Sequence, residues 1–321
     1  MNPTLENNAN TATPSQAYWN QRHALAEFRP RAEQLQEAVG KLTDLMPFQW
    51  AQLFTMALEF KPDVILELGR LAGNSTVIFT EAANQLGDCR VVSLCLTDVW
   101  QKATVPSLSE MVPEKWFDPL DALQADILTF DYEATFMDAK RVMIFWDAHG
   151  FDVAECVLGK ILPLVQDRPH LVIMHDLSDA RYTGDEYTTN YGEHGLWKGE
   201  AAGDPSIRLG HISSKVAQSV SIFDFTSRNK LSLHSADHNL HTELGMDASK
   251  VAELKKLVGD KLFSLTGHWF WFSLNENAGP RTFPNFQHRK LPQGEALSPA
   301  PMSLKMRLKA AASILLRGHR V

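Results

Sequence analysis

Cysteine is scarce in this chain: Cys89, Cys95 and Cys156 are the only three in 321 residues, with no CxxC pair among them. That scarcity excludes a disulfide framework and a cysteine-built zinc site, and it fits a reducing compartment. Positive charge is not in excess either. Lys and Arg number 31 against 38 Asp and Glu, a formal net charge of -7, so the protein as a whole is not built to lie on nucleic acid. No apolar run approaches the roughly eighteen residues that a membrane-spanning helix needs. The first fifteen residues, MNPTLENNANTATPS, have neither a basic start nor an apolar stretch, which predicts no signal peptide and a cytoplasmic protein. What is present is 44% hydrophobic and 21% charged residues, the balance of a globular chain with a real core.

Hydrophobic patterning divides the chain. Residues 1–17, rich in Asn, Thr and Ala, offer little to bury and are expected to be disordered. Residues 18–60 carry two candidate helices, the second opened by Pro47 and bearing Phe48, Leu53, Met56 and Leu58. Short apolar runs then alternate with amphipathic stretches: strands over 64–68, 90–96, 142–146 and 171–174, with helices over 74–85 and 152–165. That alternation predicts an α/β fold, a Rossmann-like doubly wound and mostly parallel sheet. Further on, 220–225 and 230–233 read as a hairpin over Ser227-Arg228-Asn229, 248–258 as a helix, and 269–274 as a last strand. A Pro-rich linker over 279–301 leads to a basic amphipathic helix over 302–321.

The segment DVILELGRLAGNST is the most informative in the chain. A buried strand ends on Glu67, and a turn bearing Gly69 and Gly73 opens a helix at Asn74-Ser75. Glycines let a ligand approach the main chain, and in a doubly wound sheet this turn lies where ligands settle. A dinucleotide site would show GxGxxG, whose amides cradle a pyrophosphate. Here the spacing is GxxxG with an acid before it, which suits a cationic ligand without phosphates. A tight turn with no ligand is the alternative.

This segment resembles motif I of class I S-adenosylmethionine-dependent methyltransferases. VMIFWDAHG and LVIMHDLSD resemble the fourth- and fifth-strand motifs of the small-molecule O-methyltransferases, especially bacterial enzymes of the macrocin and cephalosporin-biosynthesis type. The resemblance runs from about Pro62 to Asp176. It implies a seven-stranded sheet with an antiparallel last strand. It also implies S-adenosylmethionine held by Glu67, Gly69, Gly73 and Ser75, with Asp126 at the adenine amine. Where that family places a ribose-binding acid at the end of the second strand, this chain has Cys95, and the nearest acid is Asp98.

Asp147, His175 and Asp176 sit at the ends of adjacent strands, where the resembled enzymes hold a divalent cation. An imidazole in the middle place tilts the choice from magnesium toward manganese, iron or no metal. His149, two residues past Asp147, is the candidate general base. The segment over 177–215, with Tyr182, Tyr187, Tyr191, His194 and Trp197, is expected to cover a small-molecule acceptor. His234, His238 and His241 read as a solvated loop. The basic C-terminal helix fits either packing on the chain itself or on a dimer mate, or a peripheral place on the inner face of a membrane. The leading expectation is an O-methyltransferase acting on a sugar or secondary metabolite. A non-catalytic scaffold and a nucleotide-sugar or NAD enzyme are the alternatives.

Overall fold

The computed structural model describes residues 13–40, 45–175, 214–235 and 244–286. Asp176, most of the expected acceptor-covering segment, His238, His241 and the C-terminal helix lie outside the described residues. Three helices come first: α1 (Pro14–Asn20), α2 (Arg22–Val39) and α3 (Pro47–Phe60). The sheet and its helices follow as β1 (Val64–Leu68), α4 (Asn74–Leu86), β2 (Arg90–Cys95), α5 (Val105–Ser109), β3 (Leu120–Gln124), α6 (Tyr132–Phe136) and β4 (Val142–Trp146). Then come α7 (Phe151–Cys156), α8 (Leu162–Val165), β5 (His170–His175), α9 (Ser214–Arg228), β6 (His234–Ser235), α10 (Ala248–Leu262) and β7 (Trp269–Phe272).

The seven strands lie in the order β3-β2-β1-β4-β5-β7-β6. Strands β1 to β5 pair in parallel, and β7 runs antiparallel to both β5 and β6. This is the doubly wound sheet with an antiparallel last strand that the sequence implies. Its centre is β1, β4 and β5, buried along their whole length, as parallel strands covered on both faces must be. Alternate residues serve opposite layers. Ile65, Val91, Phe145, Ile173 and Trp269 pack with α1 to α4 and α10. Leu66, Val92, Ile144, Val172 and Phe272 pack with α6 to α9. Doubly wound sheets bind ligands at the carboxyl ends of their strands, and the residues of interest stand there.

Two expectations are corrected. Residues 14–17 are not disordered: Pro14 opens α1, and Thr13 and Gln16 form a reciprocal cap on its first turn. The predicted hairpin over 220–233 is instead the end of α9 and a turn. Gln218, Ser221, Ile222 and Phe225 are all buried, a three- and four-residue repeat that two polar members disguise as strand alternation. Helix α9 ends at Arg228, and Lys230 then adopts a left-handed φ of 53°.

His170 ties the start of β5 to the end of β7. Its Nδ1 donates to the Arg168 carbonyl at 2.8 Å, and its Nε2 accepts from the Leu274 amide at 2.9 Å, because an amide N–H can only donate. Burial of this neutral ring pushes its pKa down from 6.5 to about 4. The unfolded chain therefore takes up a proton that the folded chain refuses, and stability falls as the pH drops from 6.5 toward about 4. At full development this one group removes about 3 kcal/mol. Urea melts across that window should show the loss, and His170→Gln, which cannot titrate, should flatten it. Parallel curves for the two proteins would refute the assignment.

Candidate active site

The loop after β1 is built around a buried carboxylate. Glu67 has no exposed surface and accepts hydrogen bonds from Ser75 Oγ, from Thr76 Oγ1 at 2.6 Å, and from Ser93 Oγ. Burial pushes its pKa up, while those hydroxyls and the nearby Arg70 guanidinium act in the opposite sense. Arg70, itself buried, donates to the Ser93 carbonyl at 2.6 Å and to the Leu123 carbonyl at 3.2 Å, which ties the loop to β2 and β3.

Both loop glycines are required by what lies against them. Gly69 has φ +97°, and a Cβ there would stand 2.8 Å from the Asp147 carbonyl and the Ala148 amide. Gly73 has φ +89°, and a Cβ there would stand 2.2 Å from the buried Trp100 indole. The Gly69 contact brings the loop directly onto the end of β4, and the Asp147 amide donates to the Leu68 carbonyl at 2.9 Å.

At the end of β4, Asp147 Oδ1 faces two imidazoles. His175 Nδ1 lies 3.2 Å from it and His149 Nε2 3.6 Å. Burial alone would raise the Asp147 carboxyl, but His149 and His175 outweigh it and hold it below the usual carboxylate range. His149 is carried on a braced turn. Trp146 Nε1 donates to the Ala148 carbonyl at 2.7 Å, and the Gly150 amide donates to Gln218 Oε1 at 2.7 Å. On its other edge His175 Nε2 lies 3.3 Å from Gln49 Nε2, and its ring is 5.0 Å from that of Trp269.

The structure thus gathers Gly69, Asp147, His149 and His175 at the joined ends of β1, β4 and β5. It places the other expected residues differently. Glu67 and Ser75 bond each other within the seam between sheet and helix, so their side chains build the loop instead of meeting a ligand. Asp98 pairs with Lys102 Nζ at 2.5 Å, a helical-turn neighbour. Asp126 caps its own turn, accepting from the Leu128 amide at 2.9 Å. Cys95 takes the β2 end. Burial would raise its thiol, but Thr97 and the amides of Arg70 and Leu71 outweigh that and lower it.

Of the expected metal set, Asp147 and His175 stand together among the described residues, 3.2 Å apart. No group of three His, Cys, Asp or Glu side chains is arranged there to hold an ion. A neutral imidazole has one N–H and one lone pair, and Asp147 and Gln49 face its two ring nitrogens. Asp176 lies outside the described residues.

Sequence reading passed over Gln49 and Gln52. Both are buried in α3, and the available signal was the pair of amides three residues apart in the apolar run PFQWAQLFTMALEF. Arg70 and Trp100 were also missed, since neither belongs to a periodic pattern. Gly73→Ala and Gly69→Ala are each expected to destabilise the protein by about 3 kcal/mol, combining a strained φ with overpacking. Denaturant melts would measure this; wild-type stability in either variant would mean that the loop is looser than described.

No family model and no curated protein matches the chain. Among solved structures, 95 chains match. One is a cofactor-bound protein from MTB, Rv0187, 15% identical, with a TM-score of 0.42 over 77% of this chain and 89% of that one. Another is an O-methyltransferase from Bacillus cereus in complex with SAH, 12% identical, with a TM-score of 0.38 over 67% and 91%. A third is the O-methyltransferase TomG from Streptomyces achromogenes, in complex with SAM and involved in tomaymycin synthesis. It is 14% identical, with a TM-score of 0.38 over 65% and 81%. At these identities the functional reading rests on the chain's own residues.

Proposed function

We propose that this chain is an S-adenosylmethionine-dependent O-methyltransferase acting on a hydroxyl of a small molecule, such as a sugar or secondary metabolite. The observation that carries the reading is the packing of Gly69 on Asp147. It sets a main-chain ligand loop beside an acid and two histidines at the carboxyl ends of neighbouring parallel strands.

The loop fits the cofactor better than it fits a nucleotide. The Gly73 amide is turned inward to the Arg70 carbonyl at 2.8 Å, and Trp100 fills the space beside Gly73. That leaves no GxGxxG cradle for a pyrophosphate. Main chain around Gly69 to Gly73 would hold the methionine portion of adenosylmethionine, and the charged Asp147 carboxylate is a favourable neighbour for a cationic sulfonium. At the β2 end Cys95 and Thr97 replace the carboxylate expected to hold the ribose, so that end relies on weaker polar contacts. The cofactor supplies an electrophilic methyl group.

The protein's own work is to position the acceptor hydroxyl and receive its proton. His149 is placed to receive it, because its Nε2 faces the Asp147 carboxylate at 3.6 Å. Asp147, held ionised, stabilises the imidazolium that results. The expected rate gain from this pair is on the order of 100-fold or more, with positioning supplying the rest.

Calorimetric titration tests the cofactor assignment: adenosylmethionine should bind, and NAD and a nucleotide sugar should not. Absence of adenosylmethionine binding would sink the proposal. Asp147→Asn should weaken adenosylmethionine binding by removing the charge beside its sulfonium, and at saturating cofactor should lower turnover on the order of 100-fold across a panel of hydroxylated acceptors. Binding without turnover of any acceptor by the wild type would favour a scaffold role.

A further inference from the structure

Helix α3 belongs to the N-terminal layer, yet it reaches the catalytic group through two buried amides. Gln52 Oε1 accepts from Trp269 Nε1 at 2.8 Å, and Gln52 Nε2 donates to the Thr266 carbonyl at 3.0 Å. This fixes the indole that lies against the His175 ring. Gln49 acts on the edge of that ring. Its Oε1 accepts from the Met46 amide at 2.8 Å, and its Nε2 donates to the Gly267 carbonyl at 3.3 Å. Both partners agree on which end of the amide is nitrogen, so the group facing His175 Nε2 is a donor.

A donor on one side determines the proton on the other. An amide nitrogen cannot accept, so His175 Nε2 must present its lone pair. The neutral ring then carries its hydrogen on Nδ1, 3.2 Å from Asp147 Oδ1. The opposite tautomer would set a lone pair against the carboxylate and a hydrogen against the amide NH2, two repulsive contacts in a buried place.

We infer that Gln49 is a positioning residue that fixes His175 as its Nδ1–H tautomer and so holds the Asp147 carboxylate in place facing His149. The catalytic part of this inference rests on the methyltransferase reading; the tautomer does not. Fixing a tautomer through a hydrogen bond to the far nitrogen is a general way for proteins to orient an imidazole.

The test is nitrogen NMR on the full-length protein labelled at histidine, with the His175 signals assigned by their loss in His175→Gln. The wild type should show a protonated Nδ1 and an unprotonated Nε2. Gln49→Glu puts an acceptor at Nε2 and should move the proton there or doubly protonate the ring. Gln49→Met, apolar and of similar length, leaves Asp147 alone to select the tautomer and should raise the Nε2–H fraction measurably above that of the wild type. A wild-type ring protonated at Nε2, or a Gln49→Met ring that stays purely Nδ1–H, would overturn the inference. If Gln49→Met fails to fold, the Gln49→Glu spectrum carries the decision.

Kinetics tests the link to catalysis. In Gln49→Met or Gln49→Glu, kcat should fall on the order of tenfold or more while the Kd for adenosylmethionine stays within about twofold. Unchanged kcat with a changed tautomer would remove the catalytic role. Failure of the wild type to bind adenosylmethionine would count against the methyltransferase reading alone, since the spectra are recorded without cofactor.

Discussion

A carboxylate with no access to water organises the centre of this protein. A polar group in such a place costs several kcal/mol unless hydrogen bonds replace its hydration. Glu67 receives them from three hydroxyls that belong to two different elements: Ser75 and Thr76 on the first turn of α4, and Ser93 on β2. The amino end of α4 adds a favourable dipole, and Arg70 adds a positive charge. The result fixes the spacing between β1, β2 and α4, and with it the path of the loop between Leu68 and Asn74. A residue that looks like a ligand contact in sequence is here the clamp that shapes the contact surface.

The rest of the site follows from that path. With the loop fixed, Gly69 meets the main chain of Asp147, and the end of β4 has one position relative to β1. Asp147 then gathers His149 from the turn ahead of α7 and His175 from β5. Each is stiffened from behind, His149 by the bonds of Trp146 and Gln218 to its turn, His175 by Gln49 and Trp269. Preorganisation of this kind is what lets a proton acceptor work without rearrangement at the moment of reaction.

Much of the fold was legible because the central strands are unbroken apolar runs between recognisable helices. VILEL, VMIFW and HLVIMH admit little else at that length. Helix α9 was not legible: its buried face includes Gln218 and Ser221, so hydrophobicity alone suggested alternation. In the site, the glycines and Asp147 could be placed because they end strands. The roles of Glu67, Ser75 and Asp98 could not, since a carboxylate or hydroxyl near a ligand loop can face either the ligand or its own framework. Only packing decides between them. Gln49 and Gln52 were hidden for a different reason: their partners come from the far end of the chain, which no local pattern reports.

That distance has a consequence for how the protein is made. Gln49 bonds His175, 126 residues later, and Gly267, 218 residues later; Gln52 bonds Trp269 at a separation of 217. Contacts of such high sequence separation form late and slowly. During synthesis the amino-terminal helices leave the ribosome first, with two buried-to-be amides still in water and no histidine to hold. The brace around the acid–histidine group is complete only when β7 docks as the closing strand. The full bracing of His175 is therefore an end-of-folding event, withheld from a nascent chain that stops short of β7.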